Sequence, residues 1–272
     1  MPQWSELPLQ WRGLETFSFS SYVELRLLSF KAHIFITLTA MSNEKIFSRK
    51  INKETKLSIV STDAELPENQ PLFAINWFDL KSKWIYNFYN LLAAPLVMKS
   101  GARLVFKGFR SSKVSGSEEH GREALLVVYY PSPNHFLSLV ERKYFQLISL
   151  FRVMSVKRFH FGFSEKLGGE KNSVSRNKRY AVHHFSNAYF NQPELDLLNS
   201  QSGVSVFFAA RKKAVLRIET NNKETREAPL LINGIIIYEA DTSETLEHFL
   251  TSEALKSFMA RSESNYVARF GN

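Results

Sequence analysis

ALLVVYY, residues 124–130, is apolar at nearly every consecutive position, where a strand with one wet face would alternate. GIIIYEA, residues 234–240, shows the same pattern 110 residues later. Strands of this kind need cover on both faces. The offset of 110 persists downstream, pairing Phe136, Leu139, Val140, Phe145 and Ile148 with Leu246, Phe249, Leu250, Leu255 and Phe258. One offset held through a strand and the helix that follows it marks an internal repeat.

Working outward, LFAINWFDL (72–80) reads as a strand and KSKWIYNFYNLLAAPLVMK (81–99) as a helix that carries Pro95 and stops at Gly101. RLVFKGF (103–109) is the next strand, followed by a polar hairpin over 110–123. ALLVVYY then leads to a broken helix over 132–152, and VKRFHFGF (156–163) closes the unit. The second copy runs through YAVHHFS (180–186), a short helix at 193–201, VSVFFAA (204–210) and GIIIYEA. Its hairpin carries eight extra residues within 211–230, because the offset changes from 102 to 110 across it. The order β-α-β-β-α-β is the ferredoxin-like unit, a four-stranded antiparallel sheet with two helices on one face. The fold predicted is α+β, with two such units in tandem, each covering the other's sheet. Residues 71–164 form repeat 1, 165–179 a Gly-, Ser- and charge-rich linker, and 180–272 a diverged repeat 2. Residues 1–70 read as a poorly ordered or leader-like extension.

The 272 residues include 23 phenylalanines and no cysteine. Thiolate nucleophiles, thiolate metal sites and disulfides are thereby excluded. The formal charge of +9 favours anionic partners. No uninterrupted apolar run reaches the roughly 18 residues that span a bilayer. The nearest, 27–41, is broken by Lys31 and His33. A cytoplasmic location is expected, or export if that segment acts as a signal.

YNLLAAPLVMKSGARLVFKG (89–108) and YYPSPNHFLSLVERKYFQLISLFRVMSVKRF (129–159) resemble the two motifs of the domain of unknown function 1330 family. The matching places are a Tyr, a mid-helix Pro and Gly101, then Pro131, Ser132, Tyr144 and Arg152. The resemblance implies a dimeric α/β-barrel in which two ferredoxin-like units pair sheet to sheet, here within one chain, as a monomeric pseudo-dimer or a higher oligomer. Ala102 departs from the family's second Gly, and repeat 2 has Ser262 where repeat 1 has Arg152. An inherited site is therefore expected in repeat 1.

The phenylalanines of VKRFHFGF, spaced by two, suit either base stacking or packing under helices, and the packing reading is preferred because RNA-recognition modules stack bases on other strands. His183 and His184 are adjacent in a strand and point to opposite faces, so they cannot share a metal. The repeat places His183 at Asn76 and His184 at Trp77, with Asn76 and His183 expected to face the barrel lumen and His184 to pack in the core. His183 is the one catalytic candidate, as a neutral imidazole base. Arg152 would clamp a carboxylate or phosphate, or else tie a helix end to an acid. Tyr86, Tyr129, His135 and Tyr144 would line the same cavity. Asp79 reads as the N-cap of the first helix. No phosphate loop, zinc-protease motif, dinucleotide fingerprint or catalytic-triad order occurs, and no metal or cofactor is expected. The leading reading is a barrel that binds a small anionic or aromatic molecule between sheet and helices, with cofactor-free catalysis a further option. A nucleic-acid module on the basic surface and a ligand-free interaction scaffold are the alternatives.

Overall fold

The computed structural model describes residues 55–61, 70–169, 174–175, 177–186, 190–200, 203–220 and 233–271. Two compact units divide the chain, Met1–Lys56 with Ile218–Lys223 and Leu57–Arg217 with Glu224–Asn272. Nearly all described residues belong to the second. The candidate signal at 27–41 lies outside the described residues, as do 62–69.

The elements follow in the order β1 (Thr55–Ser61), β2 (Leu72–Leu80), α1 (Lys83–Lys99), β3 (Arg103–Gly116), β4 (Ala124–Tyr130), α2 (Pro133–Val140), α3 (Lys143–Ser155), β5 (Val156–Gly168), β6 (Arg179–Ser186), α4 (Gln192–Asn199), β7 (Val204–Thr220), β8 (Gly234–Ala240), α5 (Ser243–Leu250), α6 (Glu253–Ala260) and β9 (Ser264–Gly271). The sheet order is β1-β7-β5-β2-β4-β3-β9-β6-β8, and a further pairing of β7 with β8 closes eight strands into an antiparallel barrel. The tandem ferredoxin-like arrangement is thus present, with each unit contributing four strands to one ring.

The ring is joined at two seams. Beyond Phe109, β3 pairs with β9, from Phe109↔Gly271 to Gly116↔Tyr266. Beyond Phe161, β5 pairs with β7, from Gly162↔Val215 to Gly168↔Ala209. Each strand therefore outruns its sequence reading: β3 continues into the stretch read as a polar hairpin, and β5 into the one read as linker. Polar residues are admissible there because a seam strand need bury only one face.

Local chemistry sets the helix limits. The Ser82 hydroxyl accepts from Ile85 N–H as the N-cap of α1, and Asn191, Thr242 and Ser252 do the same for α4, α5 and α6. Gly101 and Gly203, at φ +79 and +77, take the left-handed turn after a helix at matching points of the two repeats. Asp79 is not a cap. It lies within β2, fully buried, because a bulge between Trp77 and Asp79 carries it past the end of the regular ladder.

The pleat divides the apolar residues among three layers. Leu72, Ala74, Phe78, Val128, Tyr130 and Phe163 face α1–α3. Ala181, Phe185, Val206, Ile236 and Tyr238 face α4–α6. Ile75, Trp77, Val105, Leu125, Val127, Val182, Phe207, Ile235, Ile237 and Ala268 fill the barrel interior. That third layer belongs to both repeats and explains the runs in β4 and β8 that are dry on both faces.

Candidate functional site

Three of the residues singled out in the sequence share the layer between the sheet and helices of repeat 1. Asn76 stands between Ala74 and Phe78 on the helix-facing side of β2, and its amide donates to the carbonyls of Ala74 and Leu126 at 3.4 and 3.3 Å. Tyr86 comes from α1, buried with its ring 5.1 Å from Phe78 and 6.1 Å from Tyr89. Arg152, in the last turn of α3, lies over the Phe159 ring at 5.1 Å. No carboxylate of the described residues pairs with Arg152, so its role is not to tie a helix end to an acid. Burial, with Tyr89 adding to it, pushes the Tyr86 and Tyr130 phenols far above their ordinary range, and the Arg152 guanidinium pulls both back. One cation thus acts on two phenols at the floor of the layer, while Leu126, Phe151, Phe159 and Phe161 around them are only half-buried. The three phenylalanines of VKRFHFGF do pack beneath helices, with Phe136 stacked on Phe161 and edge-on to Phe163.

The remaining candidates lie elsewhere. Tyr129 faces the barrel interior beside Phe73, with Arg103 over its ring at 4.4 Å; alternation makes Tyr130, its neighbour, the residue of the helix layer. His135 lies in the first turn of α2 with its Nδ1 2.8 Å from the Ser132 Oγ. Tyr144 is exposed on the outer side of α3.

The two histidines have the opposite orientation to that expected. His183 points under the helices of repeat 2 and His184 into the barrel. His183 Nε2 donates to Asn265 Oδ1 at 2.8 Å, an orientation fixed by the Asn265 amide's own bond to Met259 O. Phe185 and Phe258 enclose it at ring distances of 5.1 and 5.4 Å. Burial lowers its pKa to about 4, the Asn265 bond opposing. An imidazole walled in by aromatics holds the core together and has no route to a substrate proton. His184 packs against Trp77 across the barrel with ring centroids 4.3 Å apart and the planes tilted by 43°, so the two repeat-related positions meet in the interior.

Asp79, Arg122, Arg158, His160 and His184 gather at one end of the barrel. The Asp79 carboxylate accepts from Glu123 N–H at 2.9 Å and from Arg158. Arg158 sits at the bulge at φ +43, a left-handed geometry that an L residue adopts only when its surroundings impose it. Arg122 is buried and donates to the carbonyls of Glu119, Gly121 and Arg158 and to His160. Trp77 Nε1 donates to His120 O at 2.9 Å, so the β3–β4 loop seals this mouth. Burial first, then the cations Arg122 and Arg158, brings His160 to about 4, while burial and the neighbouring bases bring His184 to about 3. None of these roles was foreseen in the sequence except as the polarity of residues 110–123. Among the described residues, no group of three or more His, Cys, Asp or Glu could hold a metal ion, and no helix is long and apolar enough to cross a membrane.

No protein-family model matches the chain, and no curated protein matches it. Solved structures do. A candidate monooxygenase from Fusobacterium nucleatum subsp. nucleatum aligns with a TM-score of 0.47 at 8% identity, covering 75% of this chain and 93% of its own. An anthrone oxidase-like protein aligns with a TM-score of 0.44 at 13% identity, covering 78% and 93%. A variant chlorite dismutase from Candidatus Nitrospira defluvii aligns with a TM-score of 0.42 at 11% identity, covering 76% and 93%. At these similarities the three assign neither a substrate nor a reaction to this chain.

Proposed function

We propose that the protein binds a small aromatic or anionic molecule between the sheet and helices of repeat 1. The observation that carries this reading is the contrast between the two helix layers. In repeat 2 the layer is closed around His183 by Phe185, Phe190, Tyr238 and Phe258, all buried. In repeat 1 the corresponding layer holds Arg152, Asn76 and three phenols among half-buried aromatics. Rings that are already partly wet leave apolar surface for a planar ligand, and a guanidinium without a carboxylate partner among the described residues supplies a charge for an anion. A bound phenol or enol would ionise more readily beside Arg152, and that is how cofactor-free chemistry would begin at this place. The motif resemblance of 89–108 and 129–159 to the domain of unknown function 1330 family falls on the same layer and supports a distant relation with that family.

Native mass spectrometry of the full chain, purified gently at low salt, tests the reading. A small molecule released on denaturation is expected. Arg152→Ala should lower its occupancy about tenfold or more, the loss expected for a charge-assisted hydrogen bond, and Asn76→Ala should lower it less. Bare protein, or occupancy unchanged in both variants, would remove the assignment. Copurified oligonucleotide would favour the nucleic-acid reading instead.

A further inference from the structure

α1 is apolar on two opposite sides. Tyr86, Tyr89 and Ala93 face the sheet, whereas Trp84, Phe88, Leu91, Pro95 and Met98 recur every three or four residues along the outer side. A helix with one partner needs only one such stripe. The outer stripe is exposed: Trp84 is 76% accessible and Leu91 49%. It continues across to α3, where Phe88 meets Phe151 edge-on at 5.2 Å and stacks on Trp84 at 6.1 Å. Val153 and Met154, 63% and 59% accessible, and exposed Tyr144 extend the apolar surface along α3.

The charge around this surface is predominantly positive. From Lys81 to Ser117 there is no acidic residue. Lys81, Lys83 and Lys99 stand at the two ends of α1, Arg142 and Lys143 at the start of α3, and Lys157 just past its end, with Glu141 before α3 and the exposed Glu123, which accepts from Leu80 N–H, beside the Lys81 end. The helices of repeat 2 are the reverse, carrying Glu194, Asp196, Glu244, Glu247 and Glu253. The ends of the two helices that carry the exposed apolar face are therefore basic.

We infer that the outer face of α1 and α3 docks on an anionic lipid surface. An apolar stripe with a tryptophan and a tyrosine, flanked at the helix ends by lysines long enough to reach headgroups, is the pattern of an interfacial helix. At about 25 Å for its 17 residues, α1 offers its whole length in one plane. A second copy of the chain fits less well. Antiparallel pairing through this face would set the Lys81 and Lys83 end against Lys99 of the other copy, like charge against like, whereas acidic headgroups complement every cation of the rim. This inference is independent of the ligand site, which lies on the inner side of the same helices.

Cosedimentation of the full chain with phosphatidylcholine vesicles, with and without roughly one-third phosphatidylserine, tests it at low and high salt. Binding is expected only to the acidic vesicles and should weaken as salt rises. Lys83→Gln with Lys99→Gln should reduce partitioning about 25-fold, following about fivefold per lysine, and Trp84→Ser should reduce it at both salt concentrations. All three side chains are on the surface, so the variants should fold, which far-ultraviolet circular dichroism checks. Equal binding to neutral vesicles, no binding, or binding unchanged in both variants overturns the inference. A concentration-dependent dimer that Trp84→Ser abolishes would assign the face to a second copy and overturn it likewise.

Discussion

At the scale of single residues, His183 and His184 show how far a local argument reaches. Alternation along a strand was enough to send them to opposite faces, but which face each takes depends on what fills the barrel. The expectation from the sequence puts Asn76 and His183 in the lumen. The interior of an eight-stranded ring has room for side chains and little else, and here Trp77, Phe207 and Ile237 occupy it, so Asn76 and His183 fall to the helix side. Burial makes His183 and His184 titrate at about 4 and about 3, and His160 at about 4, against an ordinary 6.5. Between those values and 6.5 the unfolded chain binds more protons than the folded one. Stability should therefore be level above about pH 7 and fall as pH drops, by on the order of 3 kcal/mol for His183 alone once pH reaches its folded value. Calorimetry between about pH 7 and 5, above most carboxylate titration, should show this fall. His184 Nε2 is also buried without a hydrogen-bond partner. His184→Phe should accordingly keep the tilted ring contact with Trp77, raise stability at neutral pH by about 1 kcal/mol and flatten the dependence; an unchanged slope would mean that His184 is not neutral by burial.

At the scale of elements, what could be read was what sits in a two-sided core. β4 and β8 were legible because they are dry on both faces, and the broken helices α2–α3 and α5–α6 because one offset aligns their buried positions. The seams were not. Residues 110–116 of β3 and 164–168 of β5 are rich in Ser, Lys, Arg and Glu, a composition that reads as loop until the partner strand from the other repeat is known. The helix stops were legible through glycine. Gly101 holds φ +79, and a Cβ there would stand 3.2 Å from Pro131 Cγ. Gly101→Ala should cost about 1–2 kcal/mol from the left-handed backbone alone, read as a lowered Tm. Gly203 has the same conformation at φ +77, and its Cβ would meet Thr245 Cγ2 at 2.6 Å, so substitution there should cost at least as much. Neutral behaviour at Gly101 would mean that the α1–β3 turn has a second accessible geometry.

At the scale of the whole barrel, the repeat has a consequence that neither unit shows by itself. Ile75, Trp77, Val105, Phe106, Leu125 and Val127 of repeat 1 are buried only because β6–β9 complete the ring around them. Exposing six such side chains would forfeit roughly 10 kcal/mol, at about 1.5–3 kcal/mol each. That is comparable with the whole stability of a typical domain, about 5–15 kcal/mol. Repeat 1 expressed as residues 70–169 should therefore not persist as a folded monomer. Its free strand edges lie at β3 and β5, the two strands that make both seams of the intact ring, so a second copy can supply the missing half through equivalent pairings. Sedimentation velocity should find a dimer, or the fragment should be insoluble. A stable, folded monomer would show that the barrel interior contributes far less than its burial implies, and that the two repeats hold together mainly through the backbone ladders of their seams.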